Sequence, residues 1–412
     1  MKSIDINKSQ TNTVNHQEGV AVQFFKDAYL LFKENIREYG MYISLVIIMI
    51  IFSITTDGLF MSSRNISNLI NQTGYIAVLA VGMTLVIVIR HIDLSVGFVA
   101  GFLGAIAAIM LTKLGLPVII TIPVILLLGL MIGLFNGLLV AKFTIPSFVV
   151  SLAGMLLFRG ALLQVTEGTG TIIVDNEAFN AIGNGFIPDI VNFEDVHILT
   201  IILGLVAIGF FIWNELKVRK NKLKYNFSVI PSSMLLIKII LVSAVIGYIT
   251  WTLANYNGLS WTVIVVILIV GIYHFITTKT VIGRHIYAVG GNPEAAKLSG
   301  IDVNKITYMV FGSMSMLAAL SGILYTSRLQ SATTTAGTAF ELDAIAAAYV
   351  GGVSAAGGVG KVTGSIVGAL VMSALTSGMN LMGVGISYQY MIKGIVLVSA
   401  VIFDVATRNK KK

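Results

Sequence analysis

Apolar residues fall in long blocks along the chain, at about 41–56, 75–90, 94–112, 117–141, 145–165, 197–213, 232–254, 261–277, 304–326, 342–353, 362–382 and 390–405. Most are close to the roughly 20 residues that a helix needs to cross a hydrocarbon layer. The pattern predicts an all-α polytopic membrane protein, with about 10–12 transmembrane helices over 40–405. Short, glycine-broken blocks such as the one near Ala344 can be discontinuous or re-entrant, where protein or a water-filled cavity satisfies their backbone.

Ahead of the first block, Met1 to Gln17 reads as a disordered tail. From Val20 to Tyr39, Phe24, Ala28, Leu31 and Phe32 recur at helical spacing while Lys26, Asp27, Lys33, Glu34 and Arg37 take the other face. That is the pattern of a helix lying in the membrane interface, so 1–39 is expected to be a cytoplasmic tail plus an interfacial amphipathic helix. Residues 406–412 are expected to form a basic cytoplasmic tail.

Twelve crossings with the N-terminus inside sort the 27 Lys and Arg very unevenly. Only Arg64, Lys113 and Arg328 fall in outer loops, while Arg159, Lys238 and Lys393 fall within spans or at their ends. All the others are inner. This split predicts that both termini are cytoplasmic. The net charge of +8 is then an inner-face label, and no nucleic-acid partner is expected.

Composition agrees: 56% of residues are hydrophobic, only 11% are charged, and mean hydropathy is +0.90. An ordinary soluble chain carries about 25% charged residues. No large soluble catalytic domain fits beside the spans. With no cysteine, disulfides and thiolate chemistry are also excluded.

The usual catalytic sets are absent. His16, His91, His197, His274 and His285 stand singly, without metal spacing, and no GxSxG elbow occurs. The string from Ala355 to Val362 superficially resembles a phosphate-binding loop, but it lacks glycine at 355 and Ser or Thr at 362, and it joins two membrane segments. No cofactor, metal or enzymatic activity is expected. The central parts of nearly all spans lack Asp, Glu and His; Arg159, His274 and Lys393 are the exceptions, read as lying near helix ends where a basic chain can snorkel. An ion-coupled transporter usually places an ionisable group deep in a span. A transporter built like this one draws its energy elsewhere.

Gly129, Gly133 and Gly137 form one small-residue ladder, and Gly360, Gly364 and Gly368 another; both predict close helix packing. The 277–303 loop is read as a cytoplasmic coupling loop. After a turn at Gly290–Asn292, Asn292 is suited to cap a short helix begun by Pro293, with Glu294 in its first turn and Gly300 ending it.

The string from Gly283 to Ile301, GRHIYAVGGNPEAAKLSGI, resembles the cytoplasmic loop of permease subunits of bacterial ABC importers for monosaccharides. That group includes ribose, xylose, arabinose and galactose importers. Segments 92–97, 145–154 with Arg159 and Gly160, 341–347, 351–354 and 357–358 agree with the family in the same order. The resemblance implies ABC ATPase subunits docking on the loop, a second permease copy, an extracytoplasmic sugar-binding protein, and a place in the bacterial cytoplasmic membrane. It also implies coupling roles for Gly283, Arg284, Gly291, Asn292, Glu294, Ala295, Ala296 and Gly300. The extra segment of roughly 200–255 is similar to the longer, xylose-type and multiple-sugar members. Ser147 and Ser151 stand where the family pattern has Pro and Thr.

Pathway or gate candidates are Asp93, Ser147, Arg159, Glu341 and Asp343. Asp93 suits a cap on the next helix, or a polar gate. Glu341 and Asp343 suit a helix start, or contact with sugar or the delivering protein. Arg159 suits either a pathway or an ion pair with Glu341 or Asp343. The basic run Lys217 to Lys224 is read as a hairpin anchoring the chain to anionic lipid. An ion-coupled sugar symporter and an ABC permease for nucleosides or autoinducers are the alternatives to import of a xylose-type pentose or related hexose.

Overall fold

The computed structural model describes residues 36–168, 170–190, 196–227, 229 and 231–409. The expected tail and interfacial helix before Ile36, and residues 410–412, lie outside this range. The described chain is almost wholly helical. In order, it forms α1 (Ile36–Thr55), α2 (Ser63–Val88), α3 (Val96–Thr112), α4 (Val118–Ala141), α5 (Ser147–Thr166), β1 (Thr171–Ile173) and α6 (Glu177–Asn184). There follow α7 (Ile198–Lys224), α8 (Ser232–Ala254), α9 (Trp261–Lys279), α10 (Val281–Gly291), α11 (Pro293–Leu298) and α12 (Val303–Leu329). The chain ends with β2 (Ser331–Thr333), α13 (Phe340–Val350), α14 (Val362–Leu381) and α15 (Ile386–Asn409).

Nine of the described helices are long and apolar enough to cross a membrane, and the shorter apolar stretches Gly40–Thr55 and Val96–Thr112 join them. The bundle has two ends. One carries α10 and α11, the platform end; the other carries the antiparallel β1–β2 pair, the strand end. Met41 meets Gly364 and Gly40 meets the Phe403 ring, so the start of α1 and the last turns of α15 both lie at the platform end.

The most buried of the long helices are α2, α12 and α14, and α12 packs most extensively on α4. Glycine makes that approach possible. A Cβ on Gly129 would lie 2.6 Å from the Ser315 carbonyl oxygen, one on Gly133 would strike the Phe311 carbonyl, and one on Gly137 would lie 3.1 Å from the Tyr308 Cα. The second ladder works likewise, with Gly364 against the Gly351 carbonyl and Gly368 against that of Ala347. By contrast, α7 and α8 form a peripheral hairpin with little burial.

Three sequence expectations are corrected. The block at 75–90 belongs to a helix that begins at Ser63, because the polar first turns find partners: Ser62 caps it, Asn65 donates to the Phe60 carbonyl (2.7 Å), and Ser377 donates to Asn65 (3.0 Å). Lys217 to Lys224 is no hairpin but the continuation of α7, which extends past its apolar stretch and is braced by Lys238–Glu215 (2.7 Å) and Arg219–Ser232 (2.8 Å). Nor is the segment from 277 to 303 a loop around a single helix. Thr280 caps a first helix at Val281 by accepting from the Gly283 N–H (3.2 Å), and α11 follows it.

Two helices begin inside the bundle. Asn136 sits five residues before the end of α4, about 7.5 Å at helical rise, and its amide makes a long hydrogen bond to Ser95 Oγ (3.5 Å). This places the start of α3 well below the platform-end surface. The 11-residue α13 is the discontinuous segment expected near Ala344. Its lead-in descends from β2 so that Ala336 packs on Gly101 and Gly337 on Gly97. Beyond Val350, a glycine-rich stretch reaches the platform end, where the Gly358 N–H donates to the Val88 carbonyl (2.8 Å).

Candidate functional site: a cradled platform and a buried acidic turn

At the platform end, Asn292 Oδ1 accepts from the Glu294 and Ala295 N–H groups (3.0 and 3.1 Å), Pro293 opens α11, and Gly300 turns away at φ +82°. These details match the expected caps. Gly283 and Ala296 are buried underneath, whereas Arg284, Gly291, Glu294, Ala295 and Gly300 face outward. Leu298 is 90% exposed on this polar surface. The platform thus presents a charged face and an apolar knob to whatever lies beyond it.

What holds the platform was missed in the sequence. Arg90 takes a left-handed backbone at φ +66°, rare for a side chain with a Cβ, and its Nε donates to the Gly290 carbonyl (2.6 Å) while a terminal guanidinium nitrogen donates to that of Gly291. Tyr287 Oη donates to the Gly360 carbonyl (2.6 Å). Burial pushes the Tyr287 hydroxyl up from its ordinary value, so it remains a donor at neutral pH. Gly290 has no room for a Cβ between the Val88 carbonyl and Gly358 N, and Gly357 and Gly358 press against Gly290 and Gly291. The string that resembled a phosphate loop is therefore the seat of the platform, linking α10 to the end of α2 and the approach to α14. A cavity of about 250 Å³ remains beside it, lined by Met41, Tyr287, Val359 and Lys361 among others. The signal for this seat was the run of glycines; its partner Arg90 could not be read from spacing.

Deeper in the bundle, Asp93 is fully buried and receives the Ser95 N–H (2.9 Å) and Ser95 Oγ–H (2.6 Å) on Oδ1, while its Oδ2 has no protein partner. It therefore caps the turn into α3, as the sequence suggested. Glu341 reaches the same helix start from the other side. It is buried, its Oε2 lies against Gly97, and that oxygen too lacks a partner. Both acids stand at the N-terminus of α3, where free N–H groups and the helix dipole favour negative charge. The reading that the spans are nearly free of interior acids is corrected accordingly: α3 and α13 begin inside the bundle, so loop and cap acids are carried there.

The other candidates separate. Asp343 pairs with Lys393 Nζ at 2.9 Å, with side chains 11% and 19% exposed, so Lys393 does not snorkel. Arg159 pairs with neither acid; it is exposed, seven residues before the end of α5, and its guanidinium lies 5.7 Å from the centre of the Phe98 ring. Ser147 is the half-buried first residue of α5, away from the acids. No cluster of His, Asp and Glu among the described residues could hold a metal.

A many-helix membrane bundle with discontinuous helices and a braced amphipathic platform at one end is the architecture of a transport permease. Residues 65–401 match the family described as "Branched-chain amino acid transport system / permease component", and the chain belongs to that family of permeases. Its relatives include the xylose transport system permease protein of Haemophilus influenzae, 40% identical over 92% of this chain and 98% of that one. The xylose permease of Escherichia coli K12 is 39% identical over 91% and 93%, and the H. influenzae ribose import permease 36% identical over 91% and 95%. No solved structure matches. Together with the fold, these relatives make the chain a multi-pass sugar permease of the ABC importer type.

Proposed function

We propose that this chain is the membrane subunit of an ATP-driven importer for a xylose-type pentose or related hexose, working as two copies in a bacterial cytoplasmic membrane. Two ATPase subunits dock on α10 and α11 from the cytoplasm, and a sugar-binding protein delivers substrate at the strand end. Hydrolysis belongs to the ATPase subunits. The carrying observation is the cradle of Arg90, Tyr287 and Gly357 to Gly360. A push on Glu294 or Leu298 is passed through it to α2 and to the broken α13–α14 unit, without a soluble domain. Both termini are cytoplasmic in this reading, as the distribution of Lys and Arg requires. The full-length relatives named for xylose favour the pentose.

Asp93, Glu341 and Asp343 lie along the discontinuous helices that would move, and act as gate groups. Those buried acids also favour one second reading, a proton-coupled sugar symporter. Reconstitution of the chain in proteoliposomes with its ATPase and binding protein separates the two. The ATP-driven reading expects D-xylose uptake that requires ATP and withstands a protonophore. Uptake without the ATPase, collapsing with protonophore, would overturn it; ATP-driven uptake of an amino acid or nucleoside alone would retain the mechanism and remove the sugar.

A further inference from the structure

The charge on Arg159 is in the wrong place for a lipid-facing side chain. Its Cα lies about 18 Å from the start of α5 and about 10 Å from its end, by helical rise. Side chains on a helix lean toward its N-terminus, here the platform end, and the guanidinium follows that direction to sit 5.7 Å from the Phe98 ring. Phe98 is in the first turn of α3, about 12 Å from the platform-end terminus of α4 when counted from the Asn136–Ser95 contact. The neighbouring levels agree: Gly154 of α5 packs on Ser95, and Leu162 on Gly101. The guanidinium is therefore held near mid-depth and aimed away from the closer end of its helix. It has no ion-pair partner among the described residues, and the residue is exposed at the surface of the chain. An unpaired arginine at that depth does not face hydrocarbon. It faces water or polar cargo.

The surroundings suit a sugar. Phe158 immediately precedes Arg159 and Phe102 follows Phe98 by one helical turn; their ring centres are 5.6 Å apart and both are only partly buried. Aromatic faces cover the apolar C–H face of a pyranose, and a guanidinium donates to two adjacent hydroxyls. On the reading given under Proposed function, we infer that the α3–α5 face lines the passage, and that Arg159 with Phe98, Phe102 and Phe158 forms a transient monosaccharide subsite there. One fixed cation and two partly covered rings, backed by the buried Phe98 ring, give orientation with weak retention, which suits cargo that must be released.

The natural absence of cysteine makes the test direct. In proteoliposomes holding the whole importer, Leu156→Cys, one turn before Arg159 on the same face, is labelled by a membrane-impermeant, positively charged thiol reagent. Leu205→Cys on peripheral α7 serves as the lipid-facing comparison. The expected result is labelling at 156 at least tenfold faster than at 205, slowed by D-xylose. Arg159→Gln lowers D-xylose uptake at least tenfold, Arg159→Lys recovers part of it, and Lys217→Gln leaves it unchanged. Labelling no faster than at 205, cross-linking between copies through 156, or uptake by Arg159→Gln within twofold of wild type would each overturn the subsite. Failure of the wild type to carry D-xylose would instead fall on the pentose assignment, and the labelling contrast between 156 and 205 would still decide whether this face is wet.

Discussion

Lys393 Nζ lies 2.9 Å from Asp343 Oδ2, joining α15 to the second residue beyond the buried Glu341. The pair fixes the start of α13, a helix too short to hold its position by length alone. Removing one partner from a buried pair leaves an uncompensated charge and costs roughly 3–5 kcal/mol, whereas replacing both with apolar residues is often close to neutral. Lys393→Met is therefore expected to lower the thermal midpoint of the purified permease strongly. The double variant Lys393→Met with Asp343→Leu recovers most of the loss; equal damage by the single and double changes would show that the pair does not brace α13.

Arg90 is the next test. Its two bonds to Gly290 and Gly291 tie α10 to the end of α2. Arg90→Ala should leave insertion and ATPase binding intact but reduce sugar uptake per ATP hydrolysed several-fold. Tyr287→Phe removes a single bond, to Gly360, and should give a smaller fall in the same ratio. A normal uptake-to-hydrolysis ratio in Arg90→Ala would remove the cradle from the coupling path.

On the outward face of the platform, Glu294→Arg or Gly300→Arg places a new cation where a partner would sit. Gly300 also stands at φ +82°, so a side chain there is strained in the turn itself. Both variants are expected to insert normally and to weaken co-purification of the ATPase subunits at least tenfold, read on an affinity column. Leu298→Ala should act in the same direction, because an apolar knob that is 90% exposed contributes energy only when covered.

Gly133 allows α4 and α12 to touch through their backbones. Gly133→Val would drive a branched side chain into the Phe311 carbonyl and force the helices apart, with overpacking of this kind costing about 1–3 kcal/mol or more. Gly271→Val, on α9 with open space around it, is the control. The expected outcome is a lower thermal midpoint for Gly133→Val alone.

Away from the spans, Asp189 caps the start of α7. Desolvation works against its charge, but the N–H groups of Leu199, Ile198 and Ile190, helped by nearby His197, hold the carboxyl below its usual value. A carboxyl lowered on folding stabilises the fold above its unfolded pKa, and that contribution disappears as pH falls through the folded value. Asp189→Asn should therefore speed proteolysis of the 185–197 connection at neutral pH. The difference from wild type should shrink as the pH falls below the ordinary carboxylate range; a difference that persists unchanged would show that charge is not what Asp189 contributes.

The chain by itself determined that it is a many-helix membrane bundle and where its close helix contacts fall, because apolar length and glycine spacing are local properties. It also contained the caps of α11, since Asn292, Pro293 and Gly300 act within one turn. Tertiary structure alone decided which charges meet. Arg159 did not find Glu341 or Asp343, Lys393 did, and Arg90 found a pair of carbonyls 200 residues away. It also decided depth: Asp93 and Glu341 are connector and cap residues in the sequence, yet they share the start of a helix inside the bundle. Periodicity records which residues prefer to be covered, but the depth and partner of a polar group depend on where helices begin and cross, and those are set by packing between segments far apart in the chain.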